Sequence, residues 1–184
     1  KISSSKTSKL RLESKYIFLG NDCMFSWKIN LETSDHHTIC DILTNNRINF
    51  SKSIYIGDHV WCAQGVMIAK GAFIASGTML GANSLAVSKK YYSNTVYAGS
   101  PAMEIKKDIF WSRKYPGNYT KEQTQLNINI QGDDFKYTYN QNEFLSPKAI
   151  EEKLDSLNTA QEKLEFVYDA IYCNKNKNRF AYFK

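Results

Sequence analysis

The fold is decided by residues 54–89, which read IYIGDHVWCAQGVMIAKGAFIASGTMLGANSLAVSK. An apolar residue recurs at every sixth position: Ile56, Cys62, Ile68, Ile74, Leu80 and Ala86. A small residue follows directly after the first five of them: Gly57, Ala63, Ala69, Ala75 and Gly81. A compact residue stands four positions after each of the first five apolar residues: Val60, Val66, Ala72, Thr78 and Ser84. The stretch is therefore an internal repeat.

This hexad fits neither the 3.6-residue period of an α-helix nor the two-residue alternation of an ordinary strand. We expect each hexad to be a short strand and a bend, with the first and fifth residues pointing inward. The small second residue is expected to allow the tight turn. The sixth place carries large residues that are expected to face outward: Trp61, Met67, Phe73, Met79 and Leu85. Exposed apolar residues in a row need a cover, so this row predicts a subunit interface or a packed loop.

The same step can be followed towards the N-terminus through Leu19, Phe25 and Leu31. A polar segment at about residues 35–49, here called the histidine loop, then interrupts the repeat. We therefore predict a mainly β protein, with a parallel β-helix over residues 1–110 that carries the histidine loop as an insertion. Solenoid proteins place their functional sites at such interruptions.

The character of the chain changes beyond the repeat. Residues 111–145 are rich in Asn, Gln and Tyr and have no sustained period, so an irregular connection is expected there. Residues 146–184 are expected to form an α-helical C-terminal extension, which begins at Ser146 and Pro147. Thr159 opens a capping box for a second helix. Such an extension is expected to cap the solenoid or to contribute to an interface.

Composition and short motifs limit the classes of function that the sequence is compatible with. The net charge of +6 favours anionic ligands such as phosphorylated cofactors and acidic glycans. The four cysteines form no C-x-x-C pair, which is typical of reduced thiols in a cytoplasmic protein. We expect no membrane span and no nucleic-acid partner, because no apolar run has the necessary length and the basic aromatic segments are short. Phosphate-binding loops, dinucleotide fingerprints and nucleophile elbows are absent from the sequence.

Three histidines are candidates for acid-base chemistry. His36 and His37 lie in the histidine loop, close in sequence to Asp35 and Asp41. A histidine held by a carboxylate can take a proton from a hydroxyl near neutral pH, as acyl transfer to an alcohol requires. Adjacent residues of an extended chain point to opposite faces, so at most one of the two is expected to be the base. A purely structural role for both histidines stays open.

A zinc site between subunits is a competing hypothesis for the histidines. His36 and His37 cannot readily ligate one tetrahedral centre, and His59 stands at an outward position of its hexad. We therefore predict no metal site. His59 is expected at the surface or in an interface.

Taken together, the hexads, the histidine loop and the stretch YAGSPAMEIK at 97–106 resemble the hexapeptide-repeat acyltransferases, and in particular their sugar and polysaccharide O-acetyltransferase branch. The resemblance covers about residues 19–107. It implies a left-handed parallel β-helix, a homotrimer, and acetyl-CoA bound in a groove between neighbouring coils. The handedness is implied by the resemblance alone.

The resemblance also implies site residues, position by position. A D-x-H-x-I pattern that begins at Asp35 matches the family's catalytic base to His37, with Asp35 as a residue that orients the ring. His36, at the variable place of the pattern, and Asp41 are matched to the acceptor. The implied cofactor-binding residues are Trp61, Ala82, Ser88, Lys89, Pro101 and Lys106.

The expected function is transfer of an acetyl group from acetyl-CoA to a sugar hydroxyl, of a surface polysaccharide or its precursor, in the cytoplasm. His37 is expected to accept the hydroxyl proton, and a backbone N–H to stabilise the oxyanion. Two alternatives stay open. One is N-acetylation of an amino sugar or small antibiotic, and the other is a noncatalytic trimeric β-helix scaffold that does not bind coenzyme A.

Overall fold

The computed structural model describes residues 8–130 and 132–184. The strands are β1 (Lys9–Arg11), β2 (Ile17–Leu19), β3 (Met24–Phe25), β4 (Asn30–Glu32), β5 (Ile54–Ile56), β6 (Trp61–Cys62), β7 (Met67–Ala69), β8 (Phe73–Ile74), β9 (Met79–Leu80), β10 (Leu85–Ala86), β11 (Lys90–Tyr91), β12 (Val96–Ala98) and β13 (Met103–Lys106). The α-helices are α1 (Lys121–Leu126), α2 (Pro147–Ser156) and α3 (Ala160–Val167), with a 3-10 turn at Pro116–Asn118 and a π-helical turn at Tyr168–Tyr172. None of these helices combines the length and the apolar composition needed to cross a membrane. The first seven residues of the predicted β-helix lie outside the described part of the chain.

The strands from β1 to β12 form three parallel sheets, which make the sides of a prism. In the order that the chain visits them, face 1 holds β1, β4, β7 and β10; face 2 holds β2, β5, β8 and β11; and face 3 holds β3, β6, β9 and β12. Each coil contributes one strand to each face, and strands of successive coils pair in register. The chain bends between faces at corners that we call 1/2, 2/3 and 3/1. The predicted parallel β-helix is confirmed.

The interior of the prism holds the residues that the repeat predicted. The first-place residues from Ile56 to Ala86 are all buried, and so are the fifth-place residues from Val60 to Ser84. The polar residues among them are hydrogen-bonded, as the Thr78 hydroxyl shows by donating to the Ala75 carbonyl at 2.7 Å. Buried hydroxyls need such partners, because an unpaired one costs free energy of folding.

The turn of each hexad lies at its fourth residue and not, as expected, at its second. Backbone φ lies between 53° and 77° at the fourth-place residues Asp22, Lys28, His59, Gly65, Gly71, Gly77 and Asn83. This is the left-handed region, which glycine and asparagine adopt most readily. The second place is small for a different reason, because a Cβ on Gly57 would lie 2.6 Å from the Ser76 nitrogen of the next coil. Small second residues therefore let coils stack closely.

The predicted outward row is covered to different degrees on the three faces. On face 2, Phe73 is buried together with Tyr55, its neighbour in register, because the C-terminal extension packs over both. On the other faces the outward residues are partly buried: Trp61, Met67, Met79 and Leu85. The chain itself thus supplies the cover that one face required.

The C-terminal extension forms a second hydrophobic core against face 2. Ile150 and Leu154 of α2 are buried there, and so is Phe180 near the end of the chain. α2 begins at Pro147, as predicted. The predicted capping box is also confirmed. The Thr159 hydroxyl accepts a hydrogen bond from the Glu162 backbone N–H, and the Thr159 backbone N–H donates to the Glu162 carboxylate in return.

A buried ion pair joins the same extension to corner 2/3. The guanidinium of Arg179 donates to both carboxylate oxygens of Asp58, at 2.7 and 2.8 Å. The Arg179 side chain is only 4% exposed. A bidentate pair of this kind fixes both distance and orientation, so it sets where the end of the chain meets the prism.

The prism ends in a reversal of chain direction. β13 runs antiparallel to β12 along the edge of face 3, after a register shift between Val96 and Tyr97. All four residues of β13 are exposed. The reversed strand covers an edge that would otherwise offer unpaired backbone groups.

Candidate active site

The histidine loop is inserted at corner 1/2, between β4 and β5. Cys40 and Arg47 form an antiparallel bridge, so the loop is a narrow hairpin. The Asp41 carboxylate accepts hydrogen bonds from the backbone N–H groups of Leu43 and Thr44 and from the Thr44 hydroxyl, at 2.8 to 3.1 Å. These bonds lower the pKa of Asp41. Asp41 therefore stabilises the tip of its own loop.

Asp35 anchors the base of the loop. Its carboxylate accepts hydrogen bonds from the Lys70 ammonium at corner 1/2 and from the Asn49 side-chain amide, the latter at 3.0 Å. These two bonds lower the pKa of Asp35. The same Asn49 amide donates to the His37 carbonyl at 2.7 Å. Lys70 and Asn49 thus hold the backbone around His37, and no motif in the sequence pointed to either residue.

The His37 side chain is exposed on this fixed backbone. The backbone N–H of His37 donates to the Asp35 carbonyl at 2.8 Å, and this bond closes a tight turn. Within residues 8–130 and 132–184, no hydrogen bond joins the His37 ring to Asp35 or to any other group. The imidazole is therefore open to an incoming hydroxyl, which is the position that a general base needs.

His36 is bound to its own chain. Its backbone φ is 63°, and its ring Nδ1 lies 2.7 Å from Oε1 of Glu13, in the connection between β1 and β2. The ring Nε2 lies 3.6 Å from a carboxylate oxygen of Glu32 on β4. Hydrogen bonds from the Ser34 hydroxyl and from His36 lower the pKa of Glu13. His36, matched to the acceptor from sequence, ties the loop to the prism in this structure.

The residues matched to the cofactor fall into two groups on different corners. Ser88 and Lys89 follow β10 at corner 1/2, the corner that carries the histidine loop. Ala82 follows β9 at corner 3/1, and Pro101 follows β12 at the same corner. One face of the prism separates the two corners. Within one copy of the chain, His37 and Ala82 therefore lie on different corners of the prism.

The two lysines matched to the cofactor differ in the surroundings of their ammonium groups. The Lys89 ammonium donates to the Ala102 carbonyl at 2.7 Å and lies 5.0 Å from the centre of the Tyr91 ring. Lys106 lies on the exposed strand β13. Lys106 is consequently better placed than Lys89 to meet a phosphate from solvent.

His59 is buried, so its expected surface position is wrong. Its side chain is stacked between the rings of Trp111 and Phe135, with each pair of ring centres 3.8 Å apart. Nδ1 lies 2.6 Å from a carboxylate oxygen of Asp22. Burial disfavours the charged form of Asp22, but hydrogen bonds from His59 and Arg113 outweigh it and lower the pKa of this carboxyl. The sequence prediction failed because the covering residues come from a stretch with no recognisable pattern.

A cavity of about 510 Å³ lies between corner 1/2 and α2. Lys52, Tyr55 and Glu151 contribute to its lining, and Lys89 is the one predicted site residue among its lining residues. Glu151 pairs with Lys15 at 3.3 Å, and Tyr55 is 4% exposed. Glu151 and Tyr55 thus already have polar partners within the chain. The histidine loop, and not this cavity, is therefore the candidate site.

Comparison with known proteins places this arrangement in context, although no family model matches the chain. The chain is 40% identical over 97 residues to a polysialic acid O-acetyltransferase of Escherichia coli O1:K1 / APEC, covering 53% of this chain and 31% of that protein. It is 34% identical over 91 residues to a galactoside O-acetyltransferase of Lactococcus lactis subsp. lactis (strain IL1403), covering 50% of this chain and 43% of that protein.

Solved structures agree with these relatives. The crystal structure of the polySia-specific acetyltransferase NeuO matches with a TM-score of 0.53 and 27% identity, over 68% of this chain and 71% of that chain. The polysialic acid O-acetyltransferase OatWY matches with a TM-score of 0.50 and 29% identity, over 68% of this chain and 64% of that chain.

These comparisons agree with the resemblance of the chain to the hexapeptide-repeat acyltransferases. The left-handed parallel β-helix that the resemblance implied is confirmed by the match to these structures. The chain spans less than half the length of the curated relatives that it matches.

Proposed function

We propose that this protein transfers an acetyl group from acetyl-CoA to a sugar hydroxyl of a polysaccharide or its precursor. The observation that carries the proposal is the exposed imidazole of His37, held on a fixed backbone at a corner of the β-helix. The named activities of its relatives, O-acetylation of polysialic acid and of galactosides, support the same reaction class.

In the proposed mechanism His37 is the general base. Its ring takes the proton of the sugar hydroxyl while the hydroxyl oxygen forms a bond to the acetyl carbon of the thioester. The carbon–sulfur bond then breaks, and the departing thiolate takes up the proton that the imidazolium carries. Asp35 acts through Asn49 and Lys70, which hold the His37 backbone in place during both steps. Acetyl-CoA supplies the activated acetyl group and leaves as coenzyme A.

We place the site between two copies of the chain, in a homotrimer. The support is the separation of the matched residues, since His37 lies at corner 1/2 whereas Ala82 and Pro101 lie at corner 3/1. In an assembly that turns corner 1/2 of one copy towards corner 3/1 of the next, one copy provides the base and the other the wall for the cofactor. The partly buried Trp61 on face 3 then lies beside the cofactor arm.

The remaining assignments follow from exposure and charge. Ala82 and Ser88 are exposed at their corners, and the small Ala82 side chain leaves space for a thin ligand arm. Lys106 is assigned to the phosphates of the cofactor, which a net charge of +6 helps to recruit. A cytoplasmic location accompanies the proposal, because all four cysteines are free thiols.

The test is the variant His37→Ala. Turnover with acetyl-CoA and a sialic acid polymer or galactoside acceptor is expected to fall by about 100- to 10,000-fold. The coenzyme A dissociation constant and the melting temperature are expected to stay at wild-type values. Thr38→Ala, a neighbouring change at an exposed loop position, is the matched control and is expected to keep wild-type turnover.

Two results would contradict the proposal. Wild-type turnover in His37→Ala rejects the base assignment. A wild-type protein that shows no thermal shift with coenzyme A supports a noncatalytic scaffold instead. Paired acceptors that differ only in a hydroxyl or an amine at the same position distinguish O-acetylation from N-acetylation.

A further inference from the structure

The proposed mechanism leaves one buried histidine without a role. His59 is 1% exposed and stands at the left-handed turn position of corner 2/3, with φ at 53°. It does not touch the histidine loop. Both nitrogens and both faces of its ring are nevertheless in contact with groups that favour the doubly protonated ring.

Both nitrogens of the His59 ring face hydrogen-bond acceptors. Nδ1 lies 2.6 Å from the Asp22 carboxylate, and Nε2 lies 2.9 Å from the Trp111 carbonyl oxygen. Neither a carboxylate nor a carbonyl can donate, so each bond requires a proton on the histidine nitrogen. A neutral imidazole has only one such proton. Two bonds therefore require the doubly protonated, cationic ring.

The faces of the ring favour the same state. Trp111 and Phe135 stack on His59 with interplanar angles of 5° and 6°. The face of an aromatic ring attracts a cation, and this attraction strengthens where water is excluded. The Asp22 carboxylate balances the charge of the buried ring and pairs in turn with Arg113 at 2.9 Å.

His59 and Trp111 hold each other reciprocally. While the His59 ring donates to the Trp111 backbone, the Trp111 indole N–H donates to the His59 carbonyl at 3.0 Å. Trp111 is 5% exposed, and its ring centre lies 5.8 Å from that of Trp61, with the two planes tilted by 50°. Any displacement of Trp111 therefore changes the packing of Trp61.

We propose that His59, as a buried imidazolium, is a positioning residue that locks Trp111 against Trp61 and thereby fixes one wall of the acetyl-CoA groove. The role in the groove rests on the proposed function, since it depends on Trp61 lying beside the cofactor. The lock itself depends only on the contacts of His59. The charged groups next to the His59 ring are Asp22, which it contacts, and Arg113, which pairs with Asp22.

The protonation state is tested first, without any ligand. In wild-type protein with ¹⁵N-labelled histidine, both ring nitrogens of His59 are expected to resonate as protonated nitrogens at pH 7.5. A singly protonated His59 ring at pH 7.5 would overturn the proposal.

The positioning role is tested with His59→Asn. Asparagine suits the left-handed turn, as Asn83 shows at the equivalent place of a later hexad, so the variant is expected to fold. Its coenzyme A dissociation constant and its KM for acetyl-CoA are expected to rise by about 5- to 20-fold, with kcat changed less than twofold, because the lost contact shapes binding and not the base. Tryptophan fluorescence is expected to shift to the red as Trp111 becomes hydrated.

A matched control separates this effect from a general effect at turns. Lys28→Asn also introduces asparagine at the fourth place of a hexad, in an exposed turn at corner 3/1. This variant is expected to leave the tryptophan emission unchanged. If His59→Asn shifts the emission but keeps the wild-type dissociation constant, the positioning role is rejected. If wild-type protein binds no coenzyme A, the proposed function fails, while the nitrogen resonances and the emission still decide whether the lock exists.

Discussion

The histidine loop and the C-terminal extension are both additions to the regular prism, and they are attached by opposite kinds of contact. Polar bonds from Asn49 and Lys70 hold the loop, whose tip leaves Ile42 90% and Leu43 88% exposed. The extension instead buries apolar side chains such as Leu154 against face 2. A segment with few buried contacts can open locally without global unfolding. The comparison indicates that the extension stabilises the protein, whereas the loop leaves the proposed base His37 exposed.

The largest expected effect comes from the attachment of the extension. Arg179→Ala leaves the Asp58 carboxylate partly buried without its partner, and the free energy of unfolding is expected to fall by about 3 to 5 kcal/mol. Urea unfolding followed by circular dichroism measures this change. Lys175→Ala, at an exposed position of the same segment, is expected to change stability by less than about 0.5 kcal/mol. A loss below about 1 kcal/mol in Arg179→Ala would contradict the stabilising role.

A smaller effect on stability is expected in the loop. Asn49→Ala removes the amide that joins Asp35 to the His37 carbonyl, so the loop is expected to lose about 1 kcal/mol of local stability. Hydrogen exchange of loop amides is expected to speed up while the prism amides keep their protection. Because His37 is less well held, turnover is expected to drop by about tenfold.

The control for this loop variant is Asn46→Ala, an exposed asparagine of the same hairpin. It is expected to keep both the exchange pattern and the turnover of the wild type. If Asn49→Ala instead lowers global stability as much as Arg179→Ala does, the two additions do not differ in the way described.

The smallest expected effect is that of low pH on the hydrogen bonds of Asp35 at the base of the histidine loop. Bonds from Lys70 and Asn49 lower the pKa of Asp35, so its contribution is present above the ordinary aspartate pKa of about 3.9 and is lost as the pH falls through the lowered value. The side-chain amide signals of Asn49 are expected to shift below about pH 4 as the acceptor carboxylate becomes protonated. The same shift centred above pH 5 would show that Asp35 is not held by these bonds.

The sequence predicted the interior of the prism well because burial there is a local requirement, repeated in every hexad. The turn of the hexad was predicted at the wrong place. The sequence does carry a signal for the correct place, because residues that favour the left-handed region stand at the fourth position: Gly65, Gly71, Gly77 and Asn83. Small residues at two places of the hexad have two causes, turn geometry and stacking of coils. Spacing alone cannot distinguish them.

The candidate site was less predictable because its contacts are distant in sequence. The pattern around His37 was local and could be matched, but Glu13 lies 23 residues before His36, and Trp111 lies 52 residues after His59. Neither partner belongs to a periodic segment. Both contacts depend on how irregular segments cover the prism, which no local rule encodes.

The reversed strand β13 also bears on how copies of this protein avoid joining end to end. A stack of identical rungs has no inherent length, since its last rung offers the backbone groups that another rung would pair with. At this end a strand of opposite direction, carrying Lys106, occupies that place on face 3. A second molecule that approaches this end finds a strand of the opposite direction and an exposed positive charge. Growth into fibres is thereby obstructed at this end of face 3.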